Sequence, residues 1–270
     1  MAGDVGATLR AVLPKLERKD HKFLGKMLKK HVDELERVVG AYTKKVEDLV
    51  PIHPEYVASV LDEEAAADAI FTADTGMCTS WAARYITPNG RRRVLGSFVH
   101  GTMANALPHA LGASKVDPSR QVVSMSGDGG LAMLLGELLT AKLHNLPVKV
   151  VVFNNSSLGM VRLEMLVAGD PPFETDHEHV DFAAIARAAG LHAVRVEKPA
   201  DVRGALRDVL DHDGPALLDV VTDPDALEIP PHITKEEAAG FALAAGRSVM
   251  SGGVGQMLHL ARTNLRNIPR

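Results

Sequence analysis

The sequence predicts an α/β protein built on a doubly wound parallel sheet flanked by helices. Apolar runs at 121–125, 148–153 and 216–221 have the length and β-branched content of strands buried on both faces. Segments with the apolar spacing of helices separate them, and that alternation belongs to parallel sheets covered on both sides. The turn after 121–125 is Gly127-Asp128-Gly129-Gly130, a glycine-rich opening to the next helix.

Each element follows in order. From 28 to 49 apolar residues fall at Leu28, Val32, Leu35, Val39, Tyr42, Val46 and Leu49. This alternating spacing of four and three is one stripe along a helix, too short for a coiled coil and suited to a linker helix packed on a domain. Pro51 and Pro54 end it. A helix at 54–67 and a short strand at 69–73 come next. The strands at 121–125 and 148–153 flank a helix expected over 131–146. Then follow a helix at 182–189, a strand at 193–196, a helix at 200–210 and the strand at 216–221. Past Pro230 the pattern changes to a helix at 235–250, a Ser251-Gly252-Gly253 break and an amphipathic segment at 254–266. From Ala238 onward there is no acidic residue, against Arg247, Arg262, Arg266 and Arg270.

Composition narrows the functions. With 270 residues, 46% hydrophobic and 24% charged, the chain can bury a sizeable core. A net charge of −4 argues against nucleic acid as a partner. Cys78 is the single cysteine, so a disulfide within the chain and a thiolate metal cluster are excluded. The first thirty residues are interrupted by Lys, Arg and Asp, unlike a signal peptide, and no run is apolar enough to span a bilayer. A soluble, cytoplasmic protein is expected.

The most informative pairing is Gly127-Asp128-Gly129-Gly130 with Asn154-Asn155 after the following strand. Both turns fall at the carboxyl ends of strands, where doubly wound sheets bind ligands. Two oxygen donors and a nearby backbone carbonyl suit a hard cation such as Mg²⁺. Gly129 and Gly130 leave backbone N–H groups open to a phosphate. Each half read alone is ordinary, a tight turn and a helix cap. The pair, correctly spaced about a helix, points to a Mg²⁺-bridged diphosphate.

At these residues the chain resembles the thiamine diphosphate (ThDP) enzymes, whose cofactor motif runs from Gly-Asp-Gly to Asn-Asn. The resemblance implies the ThDP-binding fold, with this chain as the diphosphate domain. It implies Mg²⁺ ligation by Asp128, the Asn155 side chain and the Ser157 carbonyl. Asn155, Ser156, Ser157, Leu158, Gly159, Met160 and Val161 would wrap the diphosphate, with Gly129 and Gly130 beneath it. Upstream, the stretch from Ser97 to Pro108 matches the segment that bends the cofactor. Gly101 and Thr102 would line the cofactor there, the Gly101 carbonyl accepting from its aminopyrimidine. Met103 would be the apolar wedge, although alone it reads as a core methionine.

Details in 100–108, in 151–164, in Ile229-Pro230-Pro231 and in a tail holding Gly240-Phe241 resemble pyruvate oxidases and actinobacterial pyruvate:quinone oxidoreductases. That implies oxidative decarboxylation of pyruvate to acetate and CO₂, with electrons passing to FAD and then to a membrane quinone. Met160 occupies a position where relatives carry a mobile phenylalanine, and Glu164 matches a carboxylate near the reaction centre or is an exposed helix residue. By the same resemblance 1–30 is the end of a central FAD domain. Residues 31–225 are then linker helix and diphosphate domain, and 226–270 a tail. The pyrimidine domain and nearly all of the FAD site are then missing, and the chain alone is expected not to turn over pyruvate. The family suggests a homo-oligomer.

Two readings of the tail stay open: a segment that reaches anionic lipid at the inner membrane face, and an ordinary docked helix. Two other functions stay open as well. One is a separate diphosphate subunit of a two-component 2-keto acid decarboxylase, and the other a non-catalytic ThDP-binding fragment. Asp176, His177, Glu178 and His179 read as a solvated loop, and His109, His144, Cys78 and Trp81 as helix-face or packing residues.

Overall fold

The computed structural model describes residues 3–43, 49–226, 234–250 and 252–264. Ile229-Pro230-Pro231, Val46, Arg266 and Arg270 lie outside them. The chain divides into two compact units, Met1–Arg37 and Val38–Arg270. The first holds α1 (Val5–Val12), a 3-10 turn (Leu13–Lys15) and most of α2 (Lys22–Thr43). The Asp4 side chain caps α1 by accepting from the Ala7 N–H at 2.5 Å.

The second unit is a six-stranded, all-parallel sheet in the order β2-β1-β3-β4-β6-β5. Its strands are β1 (Ile70–Ala73), β2 (Arg93–Gly96), β3 (Val122–Gly127), β4 (Val148–Asn154), β5 (His192–Val196) and β6 (Ala216–Val221). The doubly wound fold read from the sequence is the one observed. The helices are α3 (Pro54–Glu64), α4 (Met77–Tyr85), α5 (Ala106–Val116), α6 (Asp128–Met133), α7 (Glu137–Leu143), α8 (Gly159–Ala168), α9 (Phe182–Ala188), α10 (Pro199–Asp211), α11 (Lys235–Met250) and α12 (Val254–Asn264).

Alternate side chains of the sheet feed two cores, as burial on both faces requires. Phe71, Met125, Val151 and Leu218 pack with Trp81, Leu61 and Leu206 on one face. Ile70, Val122, Val150 and Leu217 pack with Leu107, Leu138 and Phe182 on the other. Every residue of β4 is buried, Lys149 included. Its ammonium donates to the Gly214 carbonyl at 2.7 Å and to the His212 carbonyl, which satisfies the charge at the sheet's lower edge.

Two expectations are corrected. The single helix over 131–146 is broken into α6 and α7. Leu134 leaves helical geometry (φ −126°, ψ 37°) and Gly136 precedes the restart, so the flexible backbone there ends one helix and begins another. The region 75–120, left without strands or helices of its own, holds α4, β2 and α5. In α4 the buried residues Cys78, Trp81, Ala82 and Tyr85 fall on one helical face. β2 is an edge strand with three of its four residues exposed, so it carries no burial signature.

The carboxyl-terminal helices pack on α8. Leu166, Ala244 and Leu260 form a third apolar cluster with Leu163, Phe241 and Met257 against it. Gly240 allows the close approach: a Cβ there would stand 1.9 Å from the Val167 carbonyl oxygen. Arg247 donates to the Gly169 carbonyl at 2.7 Å and pairs with Asp170 at 3.2 Å.

Candidate functional site

The chain reverses direction across the sheet between β1 and β3, which are neighbours although β2 intervenes in sequence. Such a switch point opens a crevice at the carboxyl ends of the strands. Asp74 follows β1, Asp128 follows β3 and Asn155 follows β4, so all three meet at that edge. A cavity of about 250 Å³ lies over them. Every residue singled out from the sequence lines it except Thr102 and Ser156. Thr102 is turned away, its hydroxyl donating to the Met103 carbonyl at 3.0 Å. The Ser156 hydroxyl is turned to His179 Nδ1 at 3.0 Å.

Asp128 is 2% exposed. Its Oδ1 accepts from the Gly129 N–H at 2.7 Å and its Oδ2 from the Ser156 N–H at 2.5 Å. The carboxylate thus bolts the β3 turn to the β4 turn. Burial raises its pKa, opposed by the Gly129 N–H, by His177 and by the N–H groups of Ser156 and Asn155. Asn155 Oδ1 accepts from the Ser157 N–H at 3.0 Å, shaping the turn that leads into α8.

The glycines are required for shape. A Cβ on Gly130 would stand 2.4 Å from Asp74 Oδ2, and one on Gly129 would stand 2.7 Å from Leu158 Cδ2 and 3.6 Å from Met103 Cε. Met103 therefore reaches over the Asp128 turn. Ala104 (φ 61°) and Ser156 (φ 53°) hold left-handed backbone that non-glycine residues rarely adopt. Both flank the cavity, where strained backbone is commonly stored.

Sequence reasoning missed several wall residues. Asp74 is 2% exposed and its Oδ1 accepts from the Ala106 N–H at 2.8 Å. Its Oδ2 has no direct hydrogen bond. Burial pushes its pKa up to about 6, although the nearby N–H groups of Ala106, Gly127 and Asn105 favour the charge. The Cys78 thiol is raised by burial and then by Asp74 and Asp128, so it is a buried neutral group in the wall. Nothing in the local pattern marks Asp74, because a strand-end aspartate is common.

The loop from Asp176 to His179 is exposed, as expected, and it is also anchored to the Asn155–Ser157 turn. Leu158 N–H donates to the Thr175 carbonyl at 2.7 Å and His177 N–H to the Ser156 carbonyl at 3.0 Å. The Ser157 hydroxyl donates to Asp176 Oδ1 at 2.9 Å. His177 Nε2 comes within 3.6 Å of Asp128 Oδ2. Beneath the loop, fully buried Asp219 accepts from Asn154 Nδ2 at 2.9 Å, from the Phe182 N–H at 3.0 Å and from Arg195 at 2.6 Å.

The opposite wall is closed by Asp223, which also lines the cavity. Asp223 and Asp225 with His259 form a carboxylate–imidazole cluster. Its acids are satisfied internally: Arg162 pairs with Asp225 at 2.6 Å and the Thr263 hydroxyl donates to Asp223 at 3.1 Å. The cluster ties α8 and α12 to the end of β6. No described helix is long and apolar enough to cross a membrane.

These residues fit a cation-bridged diphosphate: a buried carboxylate at a strand end, two glycines whose backbone lines the cavity, and the first turn of α8, whose N–H groups have no partner within the helix.

Residues 74–220 match the family model described as thiamine pyrophosphate enzyme, C-terminal TPP binding domain. A Bacillus subtilis (strain 168) protein, YdaP, whose name describes it as thiamine pyrophosphate-containing, is 32% identical over 243 residues, covering 88% of this chain and 41% of its own length. Acetolactate synthase 1, chloroplastic, of Oryza sativa subsp. japonica is 38% identical over 180 residues, 63% of this chain and 28% of its own. The chloroplastic acetolactate synthase of Arabidopsis thaliana is 39% identical over 180 residues, 63% and 27% respectively. The chain thus spans less than half the length of these relatives.

Proposed function

Since this chain belongs to the thiamine pyrophosphate enzymes, as a carrier of their C-terminal TPP-binding domain, we propose that it holds the cofactor's diphosphate and Mg²⁺ for 2-keto acid decarboxylation. The observation that carries this is Asp128, a buried carboxylate locked between the β3 and β4 turns at the edge of the cavity, beside glycines that leave no room for a side chain. In this reading Asp128, Asn155 and the Ser157 carbonyl hold the cation. The segment from Asn155 to Val161 covers the diphosphate. Gly101 and Met103 meet the thiamine end, with Met160 and Glu164 on the α8 wall beside the substrate. When bound, thiamine diphosphate supplies the electron sink for decarboxylation. The chain's residues orient it and keep water out.

For the whole protein we favour pyruvate as substrate, with FAD and a quinone as electron acceptors and a homo-oligomer as the working unit. The support is the resemblance of 100–108 and 151–164 to pyruvate oxidases. YdaP matches 88% of the chain, against 63% for the acetolactate synthases, but its name gives thiamine pyrophosphate alone and so favours neither chemistry. The names of those synthases support a second reading, in which two 2-keto acids are joined without a quinone. For the tail, the packing of α11 and α12 on α8 supports docked helices, and the arginine excess supports peripheral attachment to the inner membrane face.

Calorimetric titration of ThDP and Mg²⁺ into the chain tests the site. Binding that needs Mg²⁺ and is lost in Asp128→Ala is expected; binding untouched by either removal would sink the reading. Adding a matching amino-terminal half then separates the chemistries, because pyruvate-dependent reduction of a quinone analogue supports the oxidase and acetolactate formation the synthase.

A further inference from the structure

We propose that the segment from Glu174 to His177 acts as a strap that aims the Ser157 carbonyl at the cation, with Asp176 as a positioning residue for that ligand. The proposal rests on the reading of the diphosphate site above.

A trans peptide is planar, so its C=O and its N–H point in opposite directions. The peptide bonds of the β4 turn are trans. In the unit between Ser156 and Ser157, the carbonyl accepts from the His177 N–H at 3.0 Å. The N–H of that unit points the other way and donates to Asn155 Oδ1 at 3.0 Å. In the next unit the N–H of Leu158 faces the strap, donating to the Thr175 carbonyl at 2.7 Å. The Ser157 carbonyl therefore faces away from the strap, on the side where Asn155 stands. Asn155 and Ser157 both line the cavity. No backbone N–H among the described residues is bonded to the Ser157 carbonyl. An open carbonyl beside a side-chain amide oxygen suits a hard cation.

The two bonds to the strap are the flanks of one antiparallel bridge, Ser157 with Asp176. Side chains reinforce it. The Ser157 hydroxyl donates to Asp176 Oδ1 at 2.9 Å and stands 3.3 Å from the Thr175 carbonyl. Left-handed backbone lies on each side of the bridge, at Ser156 (φ 53°) and Glu174 (φ 52°), and non-glycine residues stay there only where their surroundings hold them. Thr175 is buried, but Asp176 is exposed, so truncating Asp176 opens no void in the core. Partners that orient a metal's ligands are worth about 10–100-fold in affinity.

The test is calorimetric titration of Mg²⁺ into the whole chain in excess ThDP, beside the thermal midpoint of the metal-free chain. Asp176→Ala should weaken Mg²⁺ about tenfold or more while the midpoint holds. Asp176→Asn keeps an Oδ1 that accepts the same hydroxyl and should return the affinity to within about threefold of the wild type. Glu178→Ala, which removes an exposed acid of the same loop, should leave it unchanged. Wild-type affinity in Asp176→Ala overturns the proposal. So does equal weakening in Asp176→Ala and Asp176→Asn, which would mean that the carboxylate acts through its charge. In either case, loss of Mg²⁺ binding in Asp128→Ala leaves the diphosphate site standing. Mg²⁺ binding that is indifferent to Asp128→Ala, or absent from the wild type, overturns both.

Discussion

Replacing Asp74 with asparagine should change how stability depends on pH, by an amount the structure sets. The carboxyl is 2% exposed and its pKa is raised from 3.8 to about 6, chiefly by burial. A carboxyl with a raised pKa in the folded state binds its proton more tightly there than in the unfolded chain. Its favourable contribution is therefore full below about pH 4 and is lost as pH rises through about 6. At about 1.4 kcal/mol per pH unit, the gap amounts to about 3 kcal/mol between pH 4 and pH 7. The amide side chain of the variant stays neutral throughout, so Asp74→Asn should gain about 3 kcal/mol relative to the wild type over that range. Urea unfolding of both proteins at half-unit steps gives the difference directly. Any fixed cost of the amide's geometry cancels in its slope. A difference that stays flat from pH 4 to 7 would mean that Asp74 is solvated or already paired in solution, and would refute the burial argument.

Two further substitutions probe the carboxyl-terminal clamp. Gly240→Ala should destabilise the protein by about 1–3 kcal/mol, because the new methyl would meet backbone of Val167 that cannot turn aside. Helix propensity alone predicts a gain of about 1 kcal/mol, so a raised midpoint in thermal unfolding would contradict the packing seen between α8 and α11. Arg162→Met leaves Asp225 buried without its cation and should cost about 3–5 kcal/mol at pH 7. Asp225 already has a raised pKa from burial, and losing Arg162 raises it further. The deficit should therefore shrink toward pH 4 as the carboxyl takes up its proton, and urea midpoints that stay equally apart at both pH values would argue against this.

What the sequence discloses is what is encoded locally. β3, β4 and β6 are mainly apolar runs, interrupted by Ser124 and Ser126, by Lys149 and by Asp219, and their ends are legible within a residue or two. The glycines and carboxylate of the β3 turn and the asparagines of the β4 turn adjoin those ends, so the floor of the site is legible too. β2 is not, because an edge strand that opens on an arginine and stays exposed has neither alternation nor a buried run. The break between α6 and α7 rests on a single glycine inside a leucine-rich stretch, where periodicity favours one helix. His177 reads as solvent-facing from its neighbours, and it is exposed, but nothing beside it in sequence shows its link to the β4 turn. Its position comes from hydrogen bonds to a turn some twenty residues away in sequence. Gly240 stands out in the sequence, but its reason, contact with Val167, exists only once α11 lies on α8.

That contact has an evolutionary consequence. One side of α8 presents Met160, Val161 and Glu164 to the cavity, while Leu163, Leu166 and Val167 lie against the carboxyl-terminal helices. A substitution in α11 or α12 can therefore tilt α8 and reset the cavity's dimensions without touching its lining. Selection on what the cavity holds can act through residues that never meet it, and lineages that share every cavity residue can still diverge in what they accept.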